Sequence, residues 1–193
     1  RPVVCMDETP KQLIKEVRRS LPARPGFEER VDYEYSRCGV CNVFMINEPL
    51  AGKRFTKVTN QRTKKDWALL VKYICDKLYP DAEVITLVMD NLSSHSAAAL
   101  YETFEPEEAK RIWDRLEFIF TPKHGSWLNM AEIELNVLTK QCLNRRIEDL
   151  QTIKTEVKAW QSNRNNKDSR IKWQFTTTDA RVKLHRLYPS IHN

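Results

Sequence analysis

Six residues constrain the fold of this 193-residue chain more than any others: Val84-Ile85-Thr86-Leu87-Val88-Met89. The run is almost continuously apolar and rich in β-branched side chains, so it reads as a strand. Lacking polar alternation, it has no face to give to water. Such a strand is expected in the parallel part of an α/β sheet, covered on both sides. The run ends in Asp90. A shorter apolar run, Val3-Val4-Cys5-Met6, ends in Asp7, and Pro10 is expected to stop it. Both strands therefore deliver a carboxylate at their C-terminal ends, the edge at which open α/β sheets bind ligands.

The other segments fill in a mixed sheet with helices on its faces. Residues 11–30, rich in Lys, Arg and Pro, read as an irregular connection. Residues 31–48, punctuated by Gly39, hold one strand or the arms of a hairpin. Pro49-Leu50-Ala51-Gly52 is a turn, and residues 53–59 suit an edge strand. Thr63 with Asp66 three residues on opens a helix to about Leu78, with Trp67, Leu70, Val71 and Ile74 at helical spacing. Residues 96–104 and 106–116 read as helices, 117–121 as a strand and 122–126 as a loop. A long helix is expected from Trp127 to about Arg146 and another over 148–160. Residues 162–170 are polar without an apolar period and suggest a linker or exposed loop. Residues 171–175 suggest a last strand, and residues 178–187 a basic helix or tail. The expected division is thus a mixed α/β domain over 1–160 and a basic extension over 161–193. The five tryptophans suit core or interface positions better than exposed stacking platforms.

Two aspartates side by side repel one another. A divalent cation between them removes the repulsion, and magnesium prefers hard oxygen ligands. Two such ions about 4 Å apart clamp the attacking and leaving oxygens of a phosphodiester. That chemistry calls for a third carboxylate, and the helix after residue 126 offers Glu132 and Glu134. Leu128, Ala131, Leu135, Leu138 and Cys142 form its apolar stripe. The two glutamates flank that stripe roughly 160° apart, so only one can face a given site. Periodicity does not choose between them. Each acid also has a plainer reading: a strand-end Asp can cap the following turn, and a boundary Glu favours the helix.

Charge is uneven. The net +6 arises behind residue 139: residues 140–193 carry 12 Lys and Arg against 5 Asp and Glu. A basic segment on a near-neutral body suits a polyanionic partner. No apolar run approaches the ~20 residues of a membrane span. Of five cysteines only Cys38 and Cys41 are close, without a second pair at zinc spacing, so reduced thiols in a cytoplasmic protein are expected.

Three blocks, in order, carry a family resemblance. Cys5-Met6-Asp7-Glu8, Met89-Asp90-Asn91-Leu92-Ser93-Ser94-His95, and Thr121-Pro122-Lys123-His124-Gly125-Ser126-Trp127-Leu128-Asn129-Met130-Ala131-Glu132 together resemble bacterial insertion-sequence transposases of the mariner-related DDE superfamily. The likeness extends to Trp173-Gln174-Phe175-Thr176. It implies an α/β, ribonuclease H-like mixed sheet flanked by helices, and metal-dependent DNA cleavage and strand transfer. In that family the third acid follows an Asn at a spacing that Asn129-x-x-Glu132 matches, so the resemblance implies Glu132 as the third acid, with Glu134 as fallback. The catalytic and metal-binding set is then Asp7, Asp90 and Glu132, using two Mg2+ ions with Mn2+ able to substitute.

Asn91 and His95 become candidates for orienting ligands. Lys123, His124, Arg145, Arg146, Arg170 and Lys172, with Arg164 and Lys167, are candidate DNA contacts. The partners implied are transposon terminal repeats and target DNA, bound by a homodimer, in a bacterial, nucleoid-associated setting. Family members carry helix-turn-helix units ahead of the first catalytic strand, so the part that reads the repeats is expected outside this sequence. The second gap, from Asp90 to Glu132, exceeds the tightest mariner-type spacing, and a helical insertion over residues 105–115 accounts for the excess. A recruited, catalytically idle relative and another ribonuclease H-like nuclease are the two other readings. The presence of all three acids counts against decay.

Overall fold

The structure, a computed structural model, describes residues 1–18, 20–92, 95–123 and 125–185. Its centre is the expected apolar run, here strand β4 (Ile85–Met89). β4 pairs in parallel with β1 (Val3–Glu16) on one side and β5 (Leu116–Phe120) on the other. β1 continues antiparallel to β2 (Tyr35–Glu48), and β2 to β3 (Lys53–Thr59), giving the order β3-β2-β1-β4-β5.

Alternation along the strands sends Val4, Met6, Phe44 and Ile46 to one face and Cys5, Val43 and Met45 to the other. The first face is covered by α1 (Lys64–Tyr73), α2 (Ala97–Tyr101) and α3 (Pro106–Asp114). The second is covered by α4 (Met130–Leu138) and α5 (Leu150–Asn166). Helix α6 (Thr177–Lys183) follows. Thr63 and Asp66 form the reciprocal cap that opens α1, and α1 runs on through a π-helical turn, Ile74–Leu78. α3 lies within the 105–115 segment expected to be helical. Among the described residues, no helix is long and apolar enough to cross a membrane.

Pro10 does not end β1. β4 pairs only with Val3, Val4 and Cys5, so beyond Cys5 that edge of β1 carries no ladder. Met6 O accepts from Asn129, and the Ile14 N–H donates to Ile147 O, both on the side away from β2. Backbone alternation puts the Pro10 nitrogen on that same open edge, where its missing N–H breaks nothing. The strand therefore continues, paired with β2 as far as Glu16 opposite Tyr35. A register shift between Gln12 and Ile14 lies opposite Gly39, whose φ of 107° only glycine adopts at ease.

The expected linker over 162–170 is largely helix, because α5 runs to Asn166 and passes the expected domain boundary at 160/161 unbroken. Its last turns show no apolar period because the face they bury is polar. Gln161 Oε1 accepts from Thr56 N–H (2.7 Å), Asn165 Oδ1 accepts from Arg54 N–H (3.0 Å), and Asn165 Nδ2 donates to Arg54 O (2.8 Å). These amides act as a sixth strand, covering the free edge of β3. Asn165→Ala should expose that edge and cost about 1–3 kcal/mol, read as a lowered urea midpoint. Residues 171–175 form no strand; Phe175 packs edge-on against Trp127, ring centroids 4.9 Å apart. Trp67 and Trp160 are core residues, and all five cysteines are free.

Candidate active site

The parallel register sets Cys5 of β1 opposite Val88 of β4. Two residues further along both strands, Asp7 and Asp90 stand side by side at the sheet's C-terminal edge. α4 arrives beside them because of Asn129. This fully buried side chain caps the helix, its Oδ1 accepting from Ala131 N–H (3.1 Å), while its Nδ2 donates to Met6 O (2.8 Å). One amide thus fastens the start of α4 to β1 next to Asp7. Three residues on, Glu132 faces the same cleft, a cavity of about 380 Å³ lined by Asp7, Glu8, Asp90, Ser126, Glu132 and Asn136 among others. A larger depression of about 560 Å³, beside α5, contains none of the three acids.

Glu134 lies elsewhere. It is buried between α4, β3 and α5, with its carboxylate held by Arg54 and Arg164, and does not line the cleft. The fallback for the third acid therefore fails on geometry, since its oxygens are already engaged.

Burial pushes the Asp7 carboxyl up to about 7, helped by repulsion from Glu8, Asp90 and Glu132, although the Glu8 N–H donates to it (2.8 Å). Glu132 Oε2 is buried without a hydrogen-bond partner. Crowded, dehydrated carboxylate oxygens with unmet bonding capacity are what a divalent cation relieves, so the donor set fits a hard metal. Among the described residues, no three His, Cys, Asp or Glu side chains close around one point. Magnesium commonly takes one or two carboxylates and fills its shell with water and substrate phosphate oxygens.

His95 is buried on the α1 side of the cleft, stacked on Trp67. Its Nδ1 lies 2.9 Å from Asp90 Oδ1 and its Nε2 3.5 Å from Glu8 Oε2. Burial alone would lower the imidazole, but the two carboxylates outweigh it and push it up to about 9. In return, the hydrogen bond from His95 holds Asp90 below the usual carboxylate range. Glu8 went unnoticed in the sequence. Strand alternation turns it away from Asp7's face and toward His95, where it is 2% exposed and also meets Arg62 (3.5 Å). Only the pairing of β1 with the loop after β4 reveals this, and no local pattern signals it.

Asn91 is exposed and does not line the cleft. Lys123, Lys167 and Lys172 are exposed. Arg145 is exposed beside Glu156, and Arg170 beside Asp168. Arg146 is committed to the fold, donating to Asp32 O (2.8 Å) and lying over the Tyr35 ring. Arg164 is likewise committed to Glu134. His124 lies outside the described residues.

The strand order, the helices on both faces and the acidic cleft beside Asp7 of β1 and the end of β4 define a ribonuclease H-like α/β protein. The chain belongs to the DDE superfamily endonuclease family, whose model matches residues 2–154, a span containing all three acids. Among solved structures, the Mos1 mariner paired end complex with Mn aligns with a TM-score of 0.57 at 13% identity, over 86% of this chain and 50% of that chain. The Mos1 transposase paired-end complex with left transposon end aligns at 0.58 and 12% identity, over 83% and 48%. The Mos1 strand transfer complex aligns at 0.58 and 12% identity, over 83% and 47%. This chain spans about half the length of the Mos1 chains it matches, and at such identities the likeness is one of fold. No curated protein matches the chain.

Proposed function

We propose that this chain is the catalytic domain of a transposase that cleaves DNA at transposon ends and joins the freed ends to target DNA. The observation carrying this reading is the cleft itself: Asp7, Asp90 and Glu132, far apart in sequence, line one cavity, where burial and the neighbouring carboxylates push Asp7 up to about 7. Two Mg2+ ions, replaceable by Mn2+, would stabilise charge on the attacking and leaving oxygens of the scissile phosphodiester. Asp7, Asp90 and Glu132 would be the residues that hold those ions. His95, braced by Glu8 and Trp67, keeps Asp90 ionised and fixes its rotation, as outer partners of ligating carboxylates do.

Exposed Lys123, Arg145, Lys167, Arg170 and Lys172 supply phosphate contacts that position DNA without reading its sequence. The active protein works as a homodimer on paired ends, within a bacterial, nucleoid-associated setting.

The test uses full-length protein and DNA carrying the terminal repeats that flank its coding sequence. Mg2+ should yield both cut ends and joined target, and a chelator should remove both. Cutting without joining would make the protein a ribonuclease H-like nuclease instead. Folded full-length protein that cuts nothing in Mg2+ or Mn2+ would sink the reading.

A further inference from the structure

The least expected feature outside the cleft is a buried ion cluster between α4, β3 and α5. Glu134 and Arg54 have side chains 1% and 0% exposed. Arg54 Nε lies 2.9 Å from Glu134 Oε2, and Arg54 Nη2 donates to Oε1 (3.1 Å). Arg164 approaches from α5, its Nε donating to Oε2 (3.0 Å) and its Nη2 to Oε1 (2.9 Å). Arg54 also donates to Gly52 O (3.1 Å) and to Ser169 O. On β2, Asn47 is paired with Arg54 across the strands and is fully buried.

Arg54 and Glu134 are out of water and Arg164 is 19% exposed; burying such charges is costly, and apolar residues of similar size usually hold a fold equally well. Such a cluster is therefore weak evidence of stabilisation. What it does supply is direction. The remaining buried face of α4 is Ala131, Leu135 and Leu138, a smooth apolar surface on which a helix can roll. Asn129 fixes where α4 starts but acts at one end only. Glu134, held at both oxygens by the planar fork of Arg164 on α5 and at Oε1 by Arg54 on β3, permits one rotation of the helix. Two residues apart on a helix means roughly 160° around it, so a locked Glu134 holds Glu132 on the opposite flank, over the cleft.

We infer that Glu134, Arg54 and Arg164 are positioning residues that set the rotation of α4 and thereby aim Glu132 into the metal-binding cleft. The inference rests on the cleft's proposed function, and its test separates the two. Mn2+ alone is titrated calorimetrically into the full chain, with Asp90→Asn as the control that reports heat from outside the cleft. Folding is followed by thermal melting.

E134Q leaves the buried Arg54 and the half-buried Arg164 short of a counter-charge and can unfold the chain. The second variant is therefore the triple replacement R54M/E134M/R164M, which removes every charge of the cluster together. The triple variant should fold, bind non-specific DNA as the wild type does, and lose Mn2+ affinity by roughly 10- to 100-fold, as when outer partners of metal ligands are removed. A folded variant with wild-type Mn2+ affinity would overturn the inference while leaving the cleft's function standing. If neither variant folds, the cluster holds the whole fold rather than one helix angle, and the inference is equally lost. A wild-type chain indistinguishable from Asp90→Asn would remove the cleft's function and this inference together.

Discussion

Replacing Asp7 by asparagine should abolish strand cleavage and, in the absence of metal, make the chain more stable. The two effects have one cause. Asp7 sits among Glu8, Asp90 and Glu132 with its carboxyl raised to about 7. The folded chain then holds a proton more tightly at Asp7 than the unfolded chain does. The contribution of Asp7 to stability is greatest below the ordinary aspartate range and falls as pH rises from about 4 to about 7. Above pH 7 the full penalty applies, at most about 4 kcal/mol for a displacement of this size and less wherever solvent reaches the carboxylate. Asparagine keeps an oxygen for the Glu8 N–H and carries no charge, so D7N should flatten the pH dependence across that window. At pH 8 with a chelator, D7N should melt above wild type; near pH 3.5 the two should coincide.

Magnesium should narrow or reverse the pH 8 order. A ligand at a hundred times its dissociation constant stabilises by about 2.7 kcal/mol, and D7N should forgo that gain. Cleavage should fall by at least about a thousandfold, since several kcal/mol of transition-state charge stabilisation go with the ligand. Asp90→Asn should lose cleavage to a similar degree and keep DNA binding, but without the stability gain. Asp90 is held below its usual range by His95, so its removal costs the fold an ion pair. Equal melting behaviour of D7N and D90N would show that Asp7 is not under electrostatic strain.

Local signals in the sequence were sufficient wherever one element decides its own conformation. The β4 run and the Thr63–Asp66 cap are of this kind, since apolar continuity and capping depend on a few neighbours. Pro10 was misleading because its tolerance depends on which strand edge lies bare, which only the short β1–β4 pairing fixes. The last turns of α5 were read as linker because apolar period marks only apolar faces. Gln161, Arg164 and Asn165 bury a polar face against a strand edge more than a hundred residues earlier and against Glu134. Periodicity could not separate Glu132 from Glu134. The family pattern points to Glu132, and what holds Glu134 outside the cleft, an arginine 80 positions away on β3, leaves no trace in the helix itself. Glu8 was hidden for a related reason: beside Asp7 it looked like part of a turn, and its partners come from the loop after β4.

Asn129→Ala should be the most damaging change that touches no acid. The side chain has two unrelated tasks. Its oxygen caps α4, worth about 1 kcal/mol and up to 2. Its nitrogen satisfies Met6 O, and an orphaned buried carbonyl costs about 1–3 kcal/mol. The sum, about 2–5 kcal/mol, should appear as a lowered urea midpoint with unchanged slope. Cleavage should fall further than the unfolded fraction explains, because the lost bond is the one tying Glu132's helix to Asp7's strand. Asn129→Asp separates the tasks: a carboxylate oxygen keeps the cap, whereas Met6 O now faces an acceptor and the cleft gains another negative charge. N129D should therefore retain α4, as seen in hydrogen exchange of its first turn, yet cleave as poorly as N129A. If N129D cleaves like wild type, or N129A loses less than about 0.5 kcal/mol, then Asn129 is no more than a surface-type cap. The register between β1 and α4 would in that case be set by apolar packing alone.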